Sequence, residues 1–525
     1  MRRAPALALT AITALLATAC SSETGGRDGD RRTPTPSPAA PSSAAAGPKG
    51  KAVVATSDFN GDGYGDLVVP APWTAASGRE QAGAVVVVYG GEDGIDLRRR
   101  RQTLVAVGGT SVPARLKPLL DQGHRFGEHV TAADLDGDGN TDLVASLDIG
   151  STDDERAGES AEGDHEPGRD EQQAGPVTLV LWGSRIGLEE VTVLPSLGET
   201  ATGDFDGDGH ADLVTGGTRL LYGPFGRDGR QRKSGRIEGN WGDSGSPRHV
   251  VVGDLNGDGR DDLVTSQGFE EMSYPDRFHP GGKDGLRAKG RDVTSYGLAA
   301  AVGDFDCDGF ADLASYDIGA VSEDSVDSAG RVRVLSGGPK GPGGSAVFLT
   351  APGGGRAGDH TPGATNQGDQ FGAALGAGDG DGDGCADLAV GAPGTDDAAG
   401  HTDAGAVYVF KGMRGRGLGA TPARTYTQDS AGVPGNGERG DLFGSAVSFR
   451  AATKGAPADL AVGAAGEDGT RSDSGAVWVL PGGPTGPIAE HVVSFGPAAV
   501  HAPETGEPAT DPGSRSGTGF GATLR

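Results

Sequence analysis

DFDGDGHADLVT, residues 204–215, places aspartates at positions 1, 3, 5 and 9 of a short run, glycines at 4 and 6, and an apolar segment directly after. Variants of it follow Asp58 (DFNGDGYGDLVV), Asp134 (DLDGDGNTDLVA), Asp254 (DLNGDGRDDLVT), Asp304 (DFDCDGFADLAS) and Asp379 (DGDGDGCADLAV). One such run reads as a solvated Asp-Gly turn, but six aligned copies read as a repeated metal loop. A hard cation such as Ca²⁺ takes six to eight oxygen ligands, which alternating carboxylates on a sharply turning chain supply.

The candidate Ca²⁺ ligands are the side-chain oxygens at positions 1, 3, 5 and 9 and the backbone carbonyl at position 7. In chain order they are Asp58, Asn60, Asp62, Tyr64 and Asp66; Asp134, Asp136, Asp138, Asn140 and Asp142; Asp204, Asp206, Asp208, His210 and Asp212. Then come Asp254, Asn256, Asp258, Arg260 and Asp262; Asp304, Asp306, Asp308, Phe310 and Asp312; Asp379, Asp381, Asp383, Cys385 and Asp387. The free variation at position 7 fits a residue that contributes only its main chain. An EF-hand would need a bidentate Glu at position 12, where this chain has Val69, Ala145, Thr215, Thr265, Ser315 and Val390. These loops are therefore not EF-hands.

The first Asp recurs after 76, 70, 50, 50 and 75 residues, a spacing that signals stacked or radial repeats. A degenerate copy at Asp459 (DLAVGAAGED) follows RAATKGAPA, which carries none of the other carboxylates, so that repeat is expected to have lost its metal. In the best-preserved copy Phe371-Gly372 precedes the loop and Gly391-Ala392-Pro393 follows it; Phe126-Gly127, Tyr296-Gly297 and Phe443-Gly444 hold the first position elsewhere.

On these motifs the chain resembles FG-GAP repeat proteins over roughly residues 52–525, with blades similar to those of the integrin α-chain propeller. The resemblance implies four-stranded antiparallel blades, each with calcium between its first two strands. Nothing corresponds to an integrin's inserted domain, leg domains or membrane-spanning helix. The residues agree with blades: runs such as GAVVVVYGG, GRVRVLSGG and GAVWVLPGG read as third strands ending in turns. Weaker fourth strands are expected over Gln102–Val107, Ser345–Thr350 and His491–Phe495. The first repeat lacks an aromatic-Gly pair in front of it, while the chain ends GTGFGATLR, where Gly517, Phe520 and Gly521 match the spacing of Gly368, Phe371 and Gly372. The expectation is an all-β, seven-bladed β-propeller over residues 52–525, its ring closed by the C-terminal strand, which limits exposed sheet edges.

With 96 glycines and 5% aromatics the chain is turn-rich and lacks long amphipathic helical runs, and a formal net charge of −28 disfavours nucleic acid, which calls for a basic face. Arg2-Arg3, an apolar run from Ala4 to Leu16, and Ala17-Thr18-Ala19 before Cys20 resemble a bacterial lipoprotein signal. Residues 1–19 are thus expected to be a signal peptide, Cys20 the lipidated residue, and 20–51 a Pro/Ser/Ala-rich disordered tether. The expected location is outside the cytoplasm, at the cell surface on a lipid anchor or secreted. There Cys307 and Cys385, both in loops of adjacent repeats, can pair or remain two buried thiols.

Other strings carry less. Gly242-Asp243-Ser244-Gly245-Ser246-Pro247 resembles a serine-protease nucleophile motif, but no histidine base stands in a matching context. Arg439-Gly440-Asp441 is an RGD tripeptide whose Gly-Asp also arises by repeat homology with Gly368-Asp369. Residues 150–175 are charged without apolar periodicity and read as disordered, and Arg98–Arg101 as a solvated turn. No catalytic residue is named. Two function classes stand: a monomeric surface module that binds protein or glycan, and a hydrolase or lyase acting on lipid or polysaccharide.

Overall fold

The computed structural model describes residues 57–525 except 77–78, 96, 98–100, 106–116, 122, 150–176, 196–198, 240–248, 267, 270–271, 274, 294–298, 318–329, 356–367, 453–456 and 505–516. The signal-like segment, Cys20, the tether, the 150–175 insertion, the 242–247 string and Tyr296-Gly297 lie outside the described residues. Among those that are described, no helix is long and apolar enough to cross a membrane.

Each repeat folds into an antiparallel sheet with its strands in chain order. In the sixth repeat Ala374–Gly378, Asp387–Ala392, Ala406–Phe410 and Arg424–Tyr426 pair successively. The second strands Leu67–Ala71, Asp387–Ala392 and Asp459–Ala464 are buried along their whole length. Sheets cover both of their faces, so these strands read as continuous apolar runs rather than alternating ones. The fourth strands fall close to expectation, at Arg101–Val105, Gly343–Leu349 and Val493–Phe495. The inner strands Val130–Ala133, Thr200–Gly203, His249–Gly253, Ala300–Gly303, Ala374–Gly378 and Phe443–Arg450 lie beside one another in turn, forming the ring of a β-propeller.

Among the described residues the ring has six blades of four or more strands, not the seven expected. The sheet of Leu67–Ala71, Ala84–Val88 and Arg101–Val105 has only three. The physical reason is that a strand needs successive pairs: Arg525 exchanges both backbone hydrogen bonds with Val68, at 2.7 and 3.1 Å, and among the described residues this single pair extends into no fourth ladder.

The aromatic-Gly pair has a packing role. Phe126, Phe371, Phe443 and Phe520 are fully buried, and the register shifts just after Phe443, where Gly444-Ser445 bulges out of its ladder. A Cβ on Gly391 would stand 2.0 Å from the Gly444 carbonyl, and one on Gly463 would stand 1.9 Å from the Gly521 carbonyl. Neighbouring blades thus touch through backbone at these points, and Phe520-Gly521 takes the same place beside the last blade that Phe443-Gly444 takes beside the one before it.

Candidate metal centres

Five acidic loops join an inner strand to the second strand of the same sheet, as residues 134–141 join Val130–Ala133 to Asp142–Ile149; the first loop runs directly into Leu67–Ala71. In four loops three carboxylates offer oxygens within 4.8 Å of one another: Asp134, Asp136 and Asp142; Asp204, Asp206 and Asp212; Asp304, Asp306 and Asp308; Asp379, Asp381 and Asp383. Several of these clusters can hold a metal ion. Every donor is an oxygen, which suits a hard divalent cation. The other two loops carry Asn60 and Asn256 at the third position.

Local geometry comes from the loop's own amides. The position-1 carboxylate accepts from the amides of positions 5 and 6, as Asp204 does from Asp208 (3.1 Å) and Gly209 (2.9 Å), and the position-5 carboxylate accepts from position 7. Glycine at position 6 takes a positive φ in every loop, and so does position 4, a demand that the sequence reading did not identify.

Position 9 does something else. One oxygen of Asp142 accepts the Leu135 amide at 2.9 Å and the other accepts Gly183, just past the third strand, at 2.8 Å. Asp66, Asp212, Asp262, Asp312 and Asp387 make the same two bonds, the far partner being Gly90, Gly223, Gly281, Gly337 and Gly412. The degenerate repeat keeps the far bond, Gly482 to Asp459 at 2.8 Å. This aspartate therefore ties the loop to the third strand whether or not a cation is bound, which explains why it outlives the other ligands.

Burial pushes the position-9 carboxyls up, reinforced by the neighbouring carboxylates and opposed by the two amides: Asp66 to about 8, and Asp142, Asp212, Asp262, Asp312 and Asp387 to about 7. A bound cation reverses that electrostatic balance. Basic side chains supply part of the compensation. Arg227 reaches Asp136 at 2.7 Å and Asp138 at 2.8 Å, Arg232 pairs with Asp206 and Asp208, and Lys411 pairs with Asp381 and Asp383. Arg227 comes from the next blade, so sequence proximity gave no sign of it.

The loops also bond to one another. The position-8 amide of one loop donates to the position-1 carbonyl of the loop before it: Thr141 to Asp58, Asp261 to Asp204, Ala311 to Asp254, Ala386 to Asp304, Ala458 to Asp379 and, across the closure, Gly65 to Ala451, all at 2.8–3.1 Å. Position 7, read from sequence as indifferent to side chain, covers the position-4 residue of the preceding loop: Asn140 lies over Gly61, Arg260 over Gly207 and Phe310 over Gly257. At one junction both places are cysteines. Cys307 and Cys385 form a disulfide with Cα atoms 5.1 Å apart, within the usual bridging range.

Family comparison matches the FG-GAP repeat at residues 50–88 and 371–410 and an FG-GAP-like repeat at 204–265. The chain carries FG-GAP and FG-GAP-like repeats, and its sheets form a β-propeller with acidic loops at one end of its blades. No curated protein matches it. Among solved structures it is similar to the exotype rhamnogalacturonan lyase YesX (15% identity, 77% of this chain and 68% of that one, TM-score 0.36). It is also similar to the dihydro-heme d1 dehydrogenase NirN (8% identity, 84% and 76%, TM-score 0.33). Likeness at this level carries no argument about activity.

Proposed function

We propose that this chain is an exported, lipid-anchored, Ca²⁺-binding recognition module that binds a protein or glycan at the cell surface as a monomer. In this reading the six loops are scaffold, each holding Ca²⁺ through the ligands at positions 1, 3, 5, 7 and 9. The observation that carries it is the mutual bonding of the loops: oxygens that could do chemistry are engaged by amides of their own loop and by basic side chains, and each loop except the one at Asp134 anchors the next. A ligand then meets the opposite end of the blades, where connections vary in length and composition. The signal-like residues 1–20 support export and anchoring at Cys20.

The test is binding of the chain to glycan, cell-wall polymer and protein arrays with and without Ca²⁺, alongside turnover assays on the same polymers. Calcium-dependent retention without turnover is the expected result. Product release from a polysaccharide or lipid would replace this reading with the hydrolase or lyase one.

A further inference from the structure

Three basic side chains meet the same two positions in three of the acidic loops. Arg227 donates through Nε to Asp136 Oδ2 at 2.7 Å and through Nη2 to Asp138 Oδ2 at 2.8 Å. Arg232 Nη2 meets Asp206 Oδ2 and, at 3.0 Å, Asp208 Oδ2, while Lys233 Nζ lies 3.2 Å from the same Asp206 oxygen. Lys411 Nζ meets Asp381 Oδ2 and, at 2.9 Å, Asp383 Oδ2. Each time the two carboxylates are positions 3 and 5 of the loop. The bases come from unrelated places: Lys411 directly follows the third strand Ala406–Phe410 of its own sheet, Arg232 directly precedes the fourth strand Lys233–Arg236 of its own sheet, and Arg227 belongs to the next blade. Repeat homology therefore does not account for the arrangement.

A divalent cation held through positions 3 and 5 calls on carboxylates that an ammonium or guanidinium already engages, and it brings a like charge beside that group. The arginines also go with a different set of converging oxygens. The close trio is positions 1, 3 and 9 in the Asp134 and Asp204 loops, where position 5 is on the arginine, and positions 1, 3 and 5 in the Asp304 and Asp379 loops. These bases have room to turn away, since 39% of the Arg227 side chain and 41% of Arg232 and of Lys411 are exposed. The Asp304 loop is a control within the same molecule. It has aspartate at positions 1, 3, 5 and 9, yet among the described residues no basic side chain pairs with Asp304, Asp306 or Asp308, and Arg414 Nη1 donates to the Cys307 carbonyl at 3.4 Å instead. The Asp58 and Asp254 loops have asparagine at position 3 and so one ligand charge fewer, which weakens a Ca²⁺ site.

We infer that Arg227, Arg232 and Lys411 are tethered counter-ions that compete with Ca²⁺ for the carboxylates at positions 3 and 5, so that three loops bind the cation weakly and the Asp304 loop binds it most tightly. The inference rests on the reading of the loops as Ca²⁺ sites and adds an order of affinity among them. The ring then fills in stages, the Asp304 loop at low free Ca²⁺ and the three guarded loops only at higher concentration.

The probe is CaCl₂ titrated calorimetrically into the full chain after chelator treatment and dialysis. Lys411→Met keeps the apolar stem and removes the charge, and it is expected to tighten one weak step by about tenfold while leaving the tightest step unchanged. Lys411→Arg, which keeps the charge, should leave that weak step within about threefold of the unaltered protein. Asp308→Asn is expected to remove the tightest step, with melting curves in chelator verifying the fold of each variant. Should a variant fail to fold, the unaltered protein decides: acetylation of Lys411 by an N-hydroxysuccinimide ester, read by mass spectrometry, must rise on saturation with Ca²⁺ while that of the exposed Lys283 stays constant. Unchanged affinity in folded Lys411→Met, survival of the tightest step in folded Asp308→Asn, or Lys411 acetylation indifferent to Ca²⁺ overturns the inference and leaves the loops as Ca²⁺ sites. Absence of saturable binding by the unaltered protein to about 10 mM removes that reading and the inference together.

Discussion

Among single residues Asp459 separates scaffold from ligand. It has no metal loop around it, yet it keeps the amide of Gly482 at 2.8 Å in a buried place. Asp459→Ala is expected to destabilise the fold by about 1–3 kcal/mol, the cost of orphaning a buried donor, with metal stoichiometry by calorimetry unchanged; a drop in stoichiometry would show that the seventh loop binds after all. A second residue-scale effect is the His129–Glu199 pair. Burial opposes protonation of His129 but Glu199 outweighs it, so its folded pKa is raised: the stability it adds is full below its ordinary value of 6.5 and is lost as pH rises through the raised one. Glu199 is lowered, so its contribution is present above its ordinary 4.5 and lost as pH falls through the depressed value. The coupling energy from a His129→Ala/Glu199→Ala double-mutant cycle should therefore be largest between the ordinary values of about 4.5 and 6.5 and fade as pH rises through the raised His129 value. The sequence showed these two only as one histidine among ten and one of many acids, because their pairing crosses 70 residues.

At the scale of the loop, the sequence displayed ligand positions clearly because hard-cation chemistry dictates residue type and spacing. It did not display the partner of each loop, since the amide at position 8 and the side chain at position 7 act on a neighbour 50 or more residues away. The Cys307–Cys385 bridge belongs to that hidden layer. Cys307 stands at a position-4 site with φ of 56°, where the other loops have glycine, so the bridge works against a backbone cost of about 1 kcal/mol. Reduction, or Cys307→Ser with Cys385→Ser, is expected to cost about 2–4 kcal/mol in denaturant unfolding. Cys307→Gly with Cys385→Ser should recover about 1 kcal/mol of it, and equal stability of the two double variants would refute the strain argument.

For the molecule as a whole, metal is expected to act as a stabiliser of the ring. At free Ca²⁺ ten times the dissociation constant, linkage gives about 1.4 kcal/mol per site, so six sites rival the stability of a whole domain. Excess chelator should lower the melting temperature markedly, and an unchanged melting curve would remove Ca²⁺ from the scaffold. Sequence by itself determined the repeat, the all-β blade and the oxygen-rich loops, because each is written within a dozen consecutive residues as spacing, glycine placement and apolar runs. Only the tertiary structure decided the count of six full blades among the described residues, the pairing of Arg525 with Val68 at the closure, the disulfide and the His129–Glu199 pair. Those depend on which backbones approach when the ring closes, and that is set by contacts between blades, over distances along the chain that no local pattern records.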